Sequence, residues 1–215
     1  LQLKSDPQFQ AAGYYAALEQ GYYEEAGLDV TIVPGEPHNT VSKVVNGEAQ
    51  YGIATSSLVL EYLEGQPVVV LAAIYQHSPA LILIPESQNI STIQELVGQR
   101  IQLSGTVSPE LLFATLLNEG ISPDSVEIVT DPIPVAEAMK DKSIAAFAVN
   151  ATDLPQLWGE KKNPFIIIKP QTYGVDFYGD LLFTTQQEID DHPERVRLFR
   201  EASLEGWGYA LDHPD

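Results

Sequence analysis

The chain has 215 residues, is 44% hydrophobic, and carries 11 basic against 30 acidic side chains, a net charge of −19. That length and apolar share suffice for one large domain or two lobes of about 100 residues each. The acidic balance argues against nucleic acid and anionic membrane surfaces, which need clustered Lys and Arg. Cysteine is absent, which excludes disulfides, thiolate zinc sites, iron–sulfur clusters and cysteine nucleophiles.

Residues 1–4 read as a short strand. A polar loop over 6–10 feeds a helix over 11–20, which stops at Gly21. The start of such a helix offers unpaired N–H groups and partial positive charge to a ligand. Tyr14, Tyr15, Tyr22 and Tyr23 either wall that ligand or pack at the edge of a βαβ unit. Residues 29–34 form the next strand, and Asn39 caps a helix over 40–46. Residues 51–54 form a strand running into Thr55, Ser56 and Ser57, whose hydroxyls cap a helix over 58–64. Residues 68–75 and 80–84 are near-continuous Val, Ile, Leu and Ala runs, the pattern of strands buried on both faces.

A second α/β series follows. It comprises a short helix over 92–97, a strand over 100–104, and a helix that Ser108 caps and Pro109 opens. Strands follow over 127–130, 144–149, 165–169 and 175–184. Residues 186–211 are helical, restarted at Pro193. This alternation implies an α/β fold with mostly parallel sheets flanked by helices.

Five polar loops follow predicted strands: Gln8/Gln10, Glu36/His38, Thr55/Ser56, Thr106/Ser108 and Asn150/Thr152. Ligands of open α/β sheets bind at that end of the strands, although capping alone explains several of these residues. Nucleophile-elbow, P-loop, dinucleotide-binding and zincin motifs are absent. The histidines are scattered and no metal site is expected. Asn89-Ile90-Ser91 and Asn150-Ala151-Thr152 fit the glycosylation pattern, which is short enough to recur by chance.

The segments QFQAAGYYAALEQGYYEEAGLDVTIVPG, VVNGEAQYGIATSSLVLEYLEGQPVVVLAAIYQHSPALILI and YGVDFYGDLLFTTQQEIDDHPERVRLFREASLEGWGYALDHP resemble type II periplasmic binding proteins. The match is to the SsuA-like and thiamine-pyrimidine-binding branch. That branch supplies ABC transporters and the extracytoplasmic sensor modules of histidine kinases and diguanylate cyclases. The resemblance implies a two-lobed fold that clamps a small organic solute. Lobe one would be residues 1–84 with 179–215, lobe two 85–172, and the hinge strands would lie near 77–85 and 173–178. The implied ligand contacts are Gln8, Gln10, Tyr14, Thr55, Ser56, Gln76 and Ser78 from lobe one, with Thr106, Asn150, Asp176 and Phe177 from lobe two and the hinge. Asp180 is expected to be structural. Ser5 and Ala11 stand where the family carries aromatic bulk, which implies a wider pocket.

The resemblance further implies a periplasmic or other extracytoplasmic location and no cofactor. The partner would be an ABC permease or the protein's own membrane-tethered signalling domain. The family continues beyond residue 215, so the chain is expected to be a piece of a longer protein. The alternative is a thiamine-pyrimidine biosynthesis enzyme of the same fold, which the lack of cysteine disfavours.

Overall fold

The computed structural model describes residues 1–7, 9–35, 39–104, 107, 109–129, 135–138, 140, 142–154, 157 and 163–213. In chain order the helices and strands begin with α1 (Ala12–Glu19), α2 (Tyr22–Glu25), α3 (Thr40–Val45), β1 (Gly52–Ala54), α4 (Leu58–Leu63), β2 (Val68–Ala73) and β3 (Ala80–Pro85). They continue with β4 (Arg100–Leu103), α5 (Pro109–Asn118), β5 (Glu127–Val129), α6 (Val135–Ala138), β6 (Ile144–Asn150) and β7 (Phe165–Ile168). The last are β8 (Leu181–Thr185), α7 (Gln186–Asp191) and α8 (Pro193–Asp212). Two compact units result: residues 1–76 with 178–215, and residues 77–177.

In the first unit the sheet order is β1-β8-β2, with β8 antiparallel to both neighbours. Residues 1–4 and 29–34, expected as strands, meet only through bridges that pair Gln2 in parallel with Val33 and Gly52. The Gln2 side chain takes part in this pairing, its amide donating to Leu3 O (3.0 Å) and Pro34 O (3.0 Å). Alternation along β8 sends Leu182 to one face and Leu181 and Phe183 to the other. β2 differs from the sequence expectation. It is an edge strand, and Val70 on it is 47% exposed rather than buried.

The larger core of this unit is aromatic. Phe199, Ala202, Ser203, Gly206, Trp207 and Ala210 recur at three- and four-residue spacing on α8 and form its buried face. Phe199 stacks between Tyr23 and Tyr51, with centroids at 5.3 and 3.8 Å and planes 8° apart in both pairs. The Tyr23 hydroxyl and Ser203 Oγ share a 2.8 Å hydrogen bond, and burial pushes Tyr23 up to about 12. Phe199→Ala is expected to cost about 3–5 kcal/mol, read as a fall in the denaturant midpoint. α1 packs against α8 through glycine. A Cβ on Gly206 would stand 2.2 Å from Gly13 O, and one on Gly13 would stand 2.2 Å from Trp207 Cγ.

Two expected caps are not made. Asn39 starts α3 without a side-chain cap bond, and its Oδ1 is buried without a partner. Ser57 starts α4, but its hydroxyl bonds Thr55 Oγ1 (3.0 Å) instead of the helix.

In the second unit the order is β5-β4-β6-β3-β7. β4 runs parallel to β5 and β6, and β3 runs antiparallel to β6 and β7. Period-two alternation places Ile82 and Ile84 in one core with Leu111, Leu112 and Leu116 of α5. Leu81 and Leu83 face the other core with Phe147, Val149 and Phe165. β6 is buried along its whole length, as a central strand must be. β3, which the sequence reading put in lobe one, is a central strand of this unit.

Each unit therefore has one reversed strand in an otherwise parallel arrangement: β8 in the first, β3 in the second. In chain order these are the first strands formed after the chain enters unit two (β3) and re-enters unit one (β8).

Candidate functional site

Unit one carries a small polar notch where the bridged segment around Gln2 leads into α1. Leu3, Lys4, Ser5, Asp6, Gln10, Ala11, Ile53 and Asp180 line it, around about 210 Å³ including the part open to solvent. Gln10 is buried just ahead of α1, in the turn Phe9–Ala11. Lys4 Nζ donates to Asp180 Oδ1, and Asp180 Oδ2 has no hydrogen-bond partner. Burial pushes the Asp180 carboxyl up, opposed by the Lys4 ammonium. Burial, and secondarily the Asp180 charge, pushes Tyr75 up to about 12.

Unit two carries a wider concavity of about 1100 Å³, again counted out to solvent. Pro79, Leu81, Ala151, Leu154 and Ile167 give it apolar surface, and His77, Ser78, Lys169, Gln171 and Asp176 give it polar groups. Apolar walls with a few placed polar groups are the usual make-up of a small-molecule pocket. His77 Nδ1 and Asp176 Oδ2 lie 2.8 Å apart, and beside them Ser78 N donates to Phe177 O at 2.7 Å. Gln171 Nε2 donates to Ser78 O at 3.0 Å, which ties the turn Pro170–Tyr173 to the start of this unit.

The expected contact residues divide among these places. Gln10 lines the notch, while Ser78 and Asp176 line the concavity. Thr55 and Ser56 are partly exposed after β1 but line neither pocket. Gln76 is exposed and donates to Ala73 O at 2.7 Å. Phe177 packs against the α5 core. Asn150 is buried and caps the turn Ala151–Asp153, where Asp153 Oδ2 accepts from Asn150 N at 3.2 Å. Tyr14 is a correction, because it has no exposed surface. It packs edge-on against Trp207 with centroids at 5.8 Å, so it offers nothing to a solute here. Gln8 and Thr106 lie outside the described residues, as do Glu36, His38 and Ser108.

Lys4, Lys169, Gln171 and Leu154 were not singled out from sequence, and Asp180 was read as structural. The Lys4–Asp180 pair spans 176 positions, and no local pattern announces it. His77 was likewise not singled out, being one of four scattered histidines. Among the described residues no group of three or more His, Asp or Glu is placed to hold a metal ion. Among them, too, no helix is long and apolar enough to cross a membrane.

Comparison with known proteins adds the following. The riboflavin-binding protein RibY of Chloroflexus aurantiacus is 25% identical, over 97% of this chain and 61% of that protein. The formylaminopyrimidine-binding protein of Halalkalibacterium halodurans is 24% identical, over 94% of this chain and 62% of that protein. The chain thus spans less than two thirds of the length of these relatives. Relatives at 22–23% identity are named 4-amino-5-hydroxymethyl-2-methylpyrimidine phosphate synthases. Among solved structures, the alkanesulfonate-binding protein SsuA from Xanthomonas axonopodis superposes with a TM-score of 0.72 at 15% identity. That match covers 98% of this chain and 73% of SsuA. The fold is that of the periplasmic binding proteins, as expected from the sequence. The family described as NMT1/THI5 like matches residues 8–215, and the chain belongs to it.

Proposed function

We propose that the chain is the solute-binding part of an extracytoplasmic binding protein and is not an enzyme. Its solute is a small polar organic molecule, with nitrogen heteroaromatics such as pyrimidines and flavins first in line. The observation that carries this is the match, over 94–97% of the chain, to two relatives named for binding such molecules. The geometry is in keeping with it. Gln10 in unit one, with Ser78 and Asp176 in unit two, supplies polar contacts in pockets without a metal cluster among the described residues. Thr55, Ser56 and Gln76 are secondary contacts. The partner is an ABC permease or a membrane-tethered signalling domain of the same protein.

Thermal shift against formylaminopyrimidine, riboflavin, alkanesulfonates and amino acids tests this. A true ligand at 100 times its Kd stabilises by about 2.7 kcal/mol and moves Tm with concentration. A flat response across the whole panel would overturn the binding reading. The relatives named as synthases motivate one competing reading, a biosynthetic enzyme. Mass spectrometry separates the two: a binding protein returns its solute unchanged, a synthase a new compound.

A further inference from the structure

We propose that the outward face of α4 is a docking surface for a protein partner that presents an apolar ridge rimmed by Lys or Arg. This surface lies on unit one, outside both pockets, so it stands whichever solute the protein holds.

An amphipathic helix usually turns its apolar stripe toward the core. In α4 only Leu58 does so, packing with Val44, Val68 and Phe183. Val59, Leu60, Tyr62 and Leu63 are between 45% and 73% exposed. At about 100° per residue they follow one another around the helix as Tyr62, Val59, Leu63 and Leu60, an unbroken arc of roughly 160°. Val70 widens this face. It lies two residues on from Val68 in β2, hence on the side of the strand that packs against Leu58, and it too is exposed. A single exposed Leu needs no explanation, but a contiguous apolar face rimmed by polar groups marks an interaction site.

Charge decides between the occupants. Beyond Leu60 the arc is bounded by Glu64 and then Glu61. No Lys or Arg occurs anywhere in residues 44–99. Arg200 reaches β2 from α8, but it donates to Leu71 O, and Leu71 packs on the opposite side of the strand. A second copy docked about a two-fold axis would set these glutamates against their own counterparts, in a chain whose net charge is already −19. An anionic membrane surface meets the same repulsion. A basic-rimmed protein surface instead gains attraction at the edge, while Tyr62 and the aliphatic side chains leave water at the centre. That is the usual division of an interface into apolar core and polar rim.

The test uses three fluorescently labelled helical peptides. One places Leu and Lys at amphipathic spacing, a second has Glu for each Lys, and a third has Ser for each Leu. Anisotropy titrations compare the wild type with Leu60→Ser/Leu63→Ser and with Glu61→Gln/Glu64→Gln. Glu24→Gln/Glu25→Gln makes an equal change of charge on exposed positions of α2, and circular dichroism checks the fold of each protein. The wild type is expected to bind the Leu/Lys peptide at least about tenfold more tightly than either other peptide. Leu60→Ser/Leu63→Ser is expected to weaken that binding at least about fivefold. Glu61→Gln/Glu64→Gln should weaken it about threefold, and by more at low salt, while the α2 variant stays within about twofold. A wild type that fails to bind the Leu/Lys peptide, or variants that all bind it equally, would overturn the inference. A dimer in sedimentation that Leu60→Ser/Leu63→Ser abolishes would put a second copy on the face and overturn it too. So would capture on phosphatidylcholine vesicles that the same variant loses, which would put lipid there. None of these outcomes bears on the solute panel, so the docking surface and the solute-binding reading fail separately.

Discussion

Gly206→Ala is expected to destabilise unit one by about 3 kcal/mol, the upper end for overpacking a core. The added methyl would stand 2.2 Å from Gly13 O and 2.6 Å from both the Cβ and the N of Ala17. Two of those three atoms are backbone, so no side-chain rotation relieves the contact and α1 must move away from α8. Trp207, the next residue, is buried against Tyr14 and Tyr75, so the shift is expected to appear in tryptophan fluorescence and near-ultraviolet circular dichroism. Gly208→Ala is the control on the same helix. A Cβ there has nothing within 4 Å, and helix propensity alone predicts a gain of about 0.8–1 kcal/mol. Opposite signs two residues apart would locate the effect in the helix crossing. A neutral Gly206→Ala would mean that α1 and α8 are not packed as described.

The second large effect concerns charge. Lys4→Met is expected to cost about 3–5 kcal/mol near pH 7, because it leaves Asp180 as an unpaired buried carboxylate. The double variant Lys4→Met/Asp180→Leu is expected to recover most of that loss, since removing both charges removes the desolvation cost as well. The pH dependence follows from the direction of the Asp180 shift, which is upward from 3.8 through burial. A carboxyl whose folded pKa is raised favours the folded state below the unfolded value, and that contribution is lost as pH rises through the folded pKa. Removing Lys4 raises the folded pKa further. The gap between Lys4→Met and wild type should therefore narrow as pH falls from 7 toward 4, measured by urea unfolding. A gap that widens over that range would overturn the assignment of a buried, ion-paired Asp180.

The lesson of these two sites is how differently they relate to the sequence. Gly206 sits in a helix whose presence and restart at Pro193 follow from local pattern. Its partner Gly13 was unremarkable in sequence until α1 and α8 were brought together. Tyr14 shows the same gap from the other side. Its place near a helix start suggested a ligand wall, but the close α1–α8 approach turns it inward onto Trp207. The strands expected at 1–4 and 29–34 survive only as bridges around Gln2, whose side chain joins the hydrogen bonding there.

By itself the sequence determined the alternation of helices and strands, the buried run of β3, the opening of α5 at Pro109, and the family. These are local properties: apolar period, proline and glycine placement, and characteristic segments each act over a few residues. Only the tertiary structure decided that β3 belongs to unit two, that β3 and β8 are the reversed strands, and that β2 is an edge. It alone decided that Lys4 meets Asp180 across 176 positions and that His77 meets Asp176 across 99. The physical reason is that strand order, burial and ion pairing are set by contacts between distant segments. Each depends on which surfaces the chain can cover at once, and a one-dimensional pattern does not carry that information.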